Sequence, residues 1–135
     1  MIAGTHFTRL LVVYYIAMIP VNYRFHGHGS LRYLFKNGQA VRSRHITIKY
    51  IANSQRKHSR FSVVVSKKVH KSAVGRNRMR RRLYEIVRLE IPRLGNTHDV
   101  ALIITNSEVM SMDHTELALS IQDLFTQAGL YSREY

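Results

Sequence analysis

The spacing of apolar residues becomes regular from residue 30 onward and predicts alternating helices and strands. Ser30 is a favourable N-cap, and Leu31, Leu34 and Phe35 share one face of a helix that Gly38 would end. This pattern predicts a short first helix.

Three further segments have the pattern of β-strands. Residues 45–51 alternate between polar and apolar side chains, and residues 61–65 form a second apolar run after a polar turn at 53–58. The continuous apolar run within residues 99–105 is typical of a strand that is buried on both faces. These strands predict one central sheet.

Two longer helices complete the pattern. The first extends from about Ser72 to Glu90, and the second follows a capping-box pattern formed by Asp113 and Glu116. Their apolar rows are Met79, Leu83, Ile86, Val87 and Glu90 in the first helix, and Leu117, Ile121, Leu124, Phe125 and Ala128 in the second, which stops at Gly129. The order α-β-β-α-β-α predicts a single-domain α+β sandwich, with one central sheet packed against helices.

The first 22 residues do not share this regularity. Residues 10–19 form an apolar run about half as long as the roughly 20 residues needed to span a bilayer, and no small-residue cleavage site follows it. A targeting segment and a mistaken start of translation both account for the run, and we favour the second, with Met18 as the true start. We expect an N-terminal extension over 1–22, one domain over 23–131 and a tail over 132–135.

Charge is divided unevenly along the chain. The 135 residues include 21 Lys or Arg and eight Asp or Glu, which gives a net charge of +13. Residues 1–84 hold eighteen of the basic residues and none of the acidic ones. Because like charges repel one another in a compact fold, such an excess favours a polyanionic partner. The absence of Cys removes disulfides and Cys-based zinc sites and suits a reducing cytoplasm, where we expect the protein.

The densest basic cluster occupies residues 66–82, where eight of seventeen positions are Lys or Arg. Planar guanidinium groups can bind two phosphate oxygens at once, and the first turn of a helix offers free N–H groups to an anion. Asn77 lies among these basic residues, and its amide can hydrogen-bond to a base edge or a 2′-hydroxyl. On the predicted helix these side chains lie one turn apart in pairs, which are Arg76 with Arg80, Asn77 with Arg81, and Arg78 with Arg82.

The basic cluster is poorly equipped for catalysis. It contains no carboxylate, which excludes paired-carboxylate metal sites and a carboxylate general base there. A nuclease built on His45 or His70 would lack a second catalytic group at a recognisable spacing. We therefore predict no catalytic residue and no metal ligand in this chain.

The motif Ser66-Lys67-Lys68, followed by Arg76-Asn77-Arg78-x-Arg80-Arg81, resembles the signature of the protein subunit of bacterial ribonuclease P. The resemblance covers roughly residues 24–131 and includes Leu31-x-x-Leu34-Phe35-x-x-Gly38. The α-β-β-α-β-α order of that family agrees with the order derived above. The family fold also implies an unusual left-handed β-α-β crossover, against the usual handedness rule.

The resemblance implies a role as well as a fold. In that family the catalytic RNA, with Mg²⁺ that it binds, removes the 5′ leader of precursor tRNA, and the protein assists it. For this chain we expect no cofactor, no membrane and no obligate protein partner. The residues implied to bind RNA or to lie beside the leader are Lys67, Lys68, Arg76, Asn77, Arg78, Arg80 and Arg81. We expect Lys71 and Arg82 of the same basic cluster to bind RNA as well. Those implied to line a cleft for the single-stranded leader are Leu31, Phe35, Thr47, Lys49, Val64 and Ser66.

Several positions depart from the family pattern. An aromatic residue is common at the position of Leu31, and His70 and Gly75 stand where Gly and Val are more usual. Two other classes of protein also fit parts of the sequence. A structural RNA-binding protein of ribosomal type would share the charge, and a membrane-associated basic protein would use residues 10–19 as its anchor.

Overall fold

The computed structural model describes residues 23–25 and 28–133 of the chain. Within them lie helices α1 (His28–Asn37), α2 (Ala73–Glu90) and α3 (His114–Gln127), and strands β1 (Gln39–Arg42), β2 (Ile46–Ala52), β3 (Arg60–Val65) and β4 (His98–Ile104). Short 3₁₀ turns occupy Ile91–Arg93 and Ser107–Met110. The expected extension over 1–22, including the apolar run and Met18, lies outside the described residues.

The four strands form one sheet in the order β1-β2-β4-β3. β2 pairs antiparallel with both β1 and β4, whereas β3 and β4 are parallel neighbours. Parallel neighbours need a crossover connection, and α2 supplies it. The α+β prediction is confirmed, and the left-handed turn of this β3-α2-β4 crossover stays a prediction.

Strand β1 was absent from the predicted order. It has four residues, and only Val41 among them is apolar and partly covered. Its stability comes from the ladder with β2, in which Val41 lies opposite Ile48. A segment this short has no periodicity of its own, so the observed order is α-β-β-β-α-β-α.

Helices α2 and α3 cover one face of the sheet and enclose the main core. Met79, Leu83 and Val87 of α2 are fully buried, as the predicted apolar row requires. Phe61 of β3 stacks on Phe125 of α3 with ring centroids 6.2 Å apart. From the sheet, the same core receives Ile46, Ile48, Val63, Val65, Val100, Leu102 and Ile104.

The opposite face of the sheet is covered only in part. The ladder registers place three rows of side chains across β2, β4 and β3, which are Thr47-Ile103-Val64, Lys49-Ala101-Ser62 and Ile51-Asp99-Arg60. α1 covers the second and third rows through Leu34, which packs with Phe25 and Ala101. The first row stays half-exposed.

Some of the predicted helix ends are confirmed and others are not. Ser72 is the N-cap of α2 and accepts a hydrogen bond from Gly75 N at 3.2 Å. Gly129 has a φ of 71° just after α3, a conformation that favours glycine. Asp113 stands at the N-cap of α3 but makes no side-chain cap bond, and α1 begins at His28 rather than at Ser30.

One buried ion pair fixes the third row of the open face. Arg60 Nε and Nη2 donate to Asp99 Oδ1 and Oδ2 at 2.9 and 2.8 Å, and Asn53 Nδ2 donates to Oδ2 at 3.1 Å. The guanidinium lies 5.2 Å from the ring centroid of Phe25. The hydrogen bond with Asp99 raises the pKa of Arg60.

We expect Asp99→Asn to lower the free energy of unfolding by about 3 kcal/mol, because it leaves a buried guanidinium without its counter-charge. Urea denaturation measures this. Glu108→Gln is the matched control, since Glu108 also pairs with an Arg but is exposed, and it should change stability little. Equal small losses in both variants would show that the buried pair contributes no more than a surface pair.

Candidate nucleic-acid interface

A tight turn after β3 presents the first basic residues. The carbonyl oxygen of Ser66 accepts hydrogen bonds from the N–H groups of Val69 and His70 at 3.1 and 3.3 Å. This turn leaves Ser66, Lys67 and Lys68 exposed. It lies at the end of the sheet where β3 and β4 finish and where the half-exposed first row is found.

The basic side of α2 faces away from the core. Burial of Met79 and Leu83 orients the helix, and Asn77, Arg78 and Arg81 are exposed as the sequence predicts. Arg80 Nη2 donates to Asn77 Oδ1, which joins one predicted RNA-binding side chain to another. Arg78 makes no hydrogen bond or ion pair within the described part of the chain, so its five N–H donors are available to a ligand.

Arg76 lies near the surface, and its guanidinium forms hydrogen bonds within the protein. Its Nη1 donates to the carbonyl oxygens of His70 and Lys71 at 2.9 Å each, and the side chain is half-buried. These bonds tie the preceding turn to the first turn of α2. Lys71 itself is exposed beside them.

Arg82 clamps the segment after β4 onto α2. Its Nη1 donates to the carbonyl oxygens of Val109 and Met110 at 2.8 and 3.2 Å, and its Nη2 donates to that of Met112 at 2.6 Å. Three carbonyl partners give the guanidinium a structural function. That Arg82 also binds RNA stays a prediction.

The same segment is held from the side of the β1–β2 turn. Glu108 Oε2 lies 2.9 Å from His45 Nε2, and Arg44 Nη2 donates to Glu108 Oε1 at 3.5 Å. The hydrogen bond with His45, and then the charge of Arg44, lower the pKa of Glu108. Among the described residues no group of His, Asp and Glu side chains is arranged to hold a metal ion.

His70 and Gly75, two of the three departures from the family pattern, lie next to each other. A Cβ on Gly75 would overlap the imidazole ring of His70. The ring is held in place because its Nδ1 accepts a bond from Ser72 N at 3.2 Å. The imidazole ring of His70 therefore occupies the space that a side chain at position 75 would otherwise fill.

The residues predicted to line a leader cleft lie along and beside the half-exposed first row. Thr47 and Val64 flank Ile103 there, and all three are half-exposed. Lys49 Nζ donates to the carbonyl oxygen of Phe35 at 2.8 Å, which fixes the end of α1 beside the row. The ring of Phe35 is 39% exposed. Leu31 instead packs on the small cluster around Leu34 and contributes little open surface.

Two cleft residues were missed from the sequence. Arg42 lies opposite Thr47 in the β1–β2 ladder and is exposed, so it adds a cation to the edge of the cleft. Ile103 lies at the centre of the row. The predicted strand gave no sign that one of its five apolar side chains faces solvent, and Arg42 could be placed only once β1 was known.

The described residues define a small α+β fold in which an arginine-rich helix connects two parallel strands of a sheet whose other face is covered only in part. No helix in the described ranges is long and apolar enough to cross a membrane. The family model described as Ribonuclease P matches residues 19–129. The chain therefore belongs to the ribonuclease P protein family.

Individual relatives agree with this assignment. The chain is 31% identical over 111 residues to the ribonuclease P protein component of Clostridium kluyveri, covering 81% of this chain and 96% of the relative. It is 25% identical over 112 residues to that of Synechocystis, covering 83% and 90%. The structure of the Staphylococcus aureus RNase P protein is similar at a TM-score of 0.73, with 22% identity over 82% of this chain and 98% of the other.

We expect Gly75→Val to destabilise the protein by about 1–3 kcal/mol, because the added side chain displaces the His70 ring. In a His70→Gly background the same substitution should cost far less, since the ring that it would meet is absent. Urea denaturation of the four proteins of this double-mutant cycle measures the coupling. Additive losses would show that the two positions are independent.

We expect Arg82→Ala to lower the free energy of unfolding by about 2–3 kcal/mol, because three carbonyl groups lose a charged donor. Arg78→Ala, one turn earlier, is the matched control and should stay within about 0.5 kcal/mol of wild type. Thermal and urea unfolding compare them. Equal effects would mean that the carbonyl clamp does not stabilise the fold.

Proposed function

We propose that this chain is the protein subunit of a ribonuclease P, and that it assists a catalytic RNA in removing the 5′ leader from precursor tRNA. The observation that carries the proposal is the junction of two surfaces. The exposed cations Lys67, Lys68, Lys71, Arg78 and Arg81 lie on a segment without carboxylates that directly follows β3. The end of β3 borders the half-exposed row of Thr47, Ile103 and Val64. Family membership agrees with this assignment.

The basic turn and helix α2 are proposed to bind the catalytic RNA. Lys67, Lys68, Arg78 and Arg81 are exposed and lie on one continuous segment. Cations of this kind bind phosphates and release condensed counterions, which makes affinity depend steeply on salt. Asn77 adds an amide that can recognise a base edge or a 2′-hydroxyl.

The uncovered row of the sheet is proposed to bind the leader. A single strand can place a base against the exposed ring of Phe35 while its backbone runs past Arg42 and Lys49. Stacking on an aromatic ring tolerates any base, because every base has a π-face. This accounts for a site that would accept leaders of different sequence.

The chemistry is assigned to the RNA. We propose that Mg²⁺ held by the RNA promotes attack of water on the phosphodiester, and that this chain contributes no catalytic residue and no cofactor. Its function is electrostatic, since Lys and Arg reduce the repulsion between two RNA molecules that Mg²⁺ otherwise screens. We also propose a cytoplasmic location and no obligate protein partner.

We expect the purified chain to cleave no RNA alone, and to let a bacterial ribonuclease P RNA process precursor tRNA at a lower Mg²⁺ concentration. Cleavage assays across a Mg²⁺ titration, with and without protein, measure this. Cleavage by RNA-free protein would overturn the division of roles.

Arg78→Ala tests the proposed contact with the catalytic RNA, because it should leave the fold intact. It should reduce the salt dependence of binding to the catalytic RNA by about 0.7–0.9 in logarithmic slope, the contribution of one phosphate contact. Selective binding to ribosomal RNA, without stimulation of cleavage, would instead indicate a structural RNA-binding protein.

A further inference from the structure

Helix α1 has two flanks, and only one of them borders the leader cleft. Leu34 points into the sheet and is buried, so Tyr33 and Phe35, about 100° to either side of it, lie on opposite flanks of the helix. Phe35 belongs to the cleft. Tyr33 is 61% exposed and lines a separate cavity between α1 and the β2–β3 loop.

This second cavity has a volume of about 520 Å³, within the range of small-molecule sites. Ser30 lines it from α1, Asn53 and Gln55 from the β2–β3 loop, and the Arg60–Asp99 pair from the sheet. An exposed aromatic ring and several neutral hydrogen-bonding side chains therefore converge on one space.

The charges at the bottom of the cavity compensate each other. Both oxygens of Asp99 accept bonds from Arg60, and Oδ2 also accepts one from Asn53. Since Asn53 uses its Nδ2 in this way, its Oδ1 remains as an acceptor for an N–H group of a ligand. A neutral planar group suits this lining better than a phosphate, which would lie beside the carboxylate of Asp99.

Two cations come directly after the lining residues of the β2–β3 loop. Arg56 and Lys57 follow Gln55 on the same loop, and both are exposed. A nucleotide has this division of charge, with a neutral planar base and an anionic phosphate. The cavity thus offers stacking and hydrogen bonds to a base and a cationic edge to its backbone.

We propose that this cavity binds one unpaired nucleotide of an RNA strand, with its base stacked on Tyr33 and hydrogen-bonded by Asn53 and Gln55. The site is distinct from the leader cleft, because α1 lies between them. Binding of an unpaired base does not depend on the proposed function. The source of the nucleotide, which is either the leader or the catalytic RNA, does rest on it.

Binding is tested with the full-length protein and a short single-stranded RNA that carries 2-aminopurine, whose fluorescence falls when it stacks. Tyr33→Ala should weaken binding about 5- to 100-fold, the effect of losing one stacked base. Tyr33→Phe should bind as wild type does. Leu119→Ala, at a residue with 60% exposure on α3, is the control for an exposed side chain elsewhere. Unchanged affinity and quenching in Tyr33→Ala would overturn the proposal.

The source of the nucleotide is tested in the reconstituted holoenzyme. If the leader supplies it, the loss of precursor affinity in Tyr33→Ala should disappear as the leader is shortened. If the catalytic RNA supplies it, the loss should appear in binding of that RNA alone. A protein that fails to stimulate cleavage yet shows Tyr33-dependent quenching would refute the proposed function and retain the nucleotide site. If instead the protein stimulates cleavage and Tyr33→Ala matches wild type in every assay, the nucleotide site is refuted and the proposed function is retained.

Discussion

The position of β4 in the middle of the sheet determines where everything else lies. β4 is antiparallel to β2 and parallel to β3, so the chain must leave the sheet after β3 and return through α2. Val100 and Leu102 then face α2 and α3, while Ala101 faces α1. The crossover therefore places the arginine-rich helix beside the end of the sheet, because that helix is the connection itself.

The cleft results from the length of α1. A helix of ten residues covers the second and third rows of the open face and leaves the row centred on Ile103 half-exposed. Lys49 bonds to the carbonyl of Phe35 at the end of the helix, which fixes where the cover stops. The half-exposed apolar surface that remains is open to a ligand, and under the proposed function bases of the leader would stack beside it.

The sequence predicted the elements whose patterns are long and regular. α2 has eighteen residues and a clear apolar row, and β4 is almost continuously apolar, so both were found within one or two residues. β1 could not be predicted, since pairing with β2 stabilises it more than its own side chains do. The sequence identified the basic motif as a group of residues. It could not distinguish Arg78 from Arg82, because Arg82 bonds to carbonyl groups some thirty positions away.

The way in which the cations are held explains how a strongly basic surface can also be ordered. Carboxylates would position them but would cancel the charge that attracts RNA. Arg76, Arg82 and Lys49 instead donate to backbone carbonyl oxygens, which satisfy their hydrogen bonds and leave the full positive charge in place. The buried Arg60–Asp99 pair lies at the opposite end of the rows from the basic turn. The carboxylate of Glu108 does pair with Arg44 and His45 on the segment that Arg82 clamps. The hydrogen bonds described for Arg76, Arg80 and Arg82 nevertheless go to carbonyl or amide oxygens, so these three side chains are positioned without loss of charge.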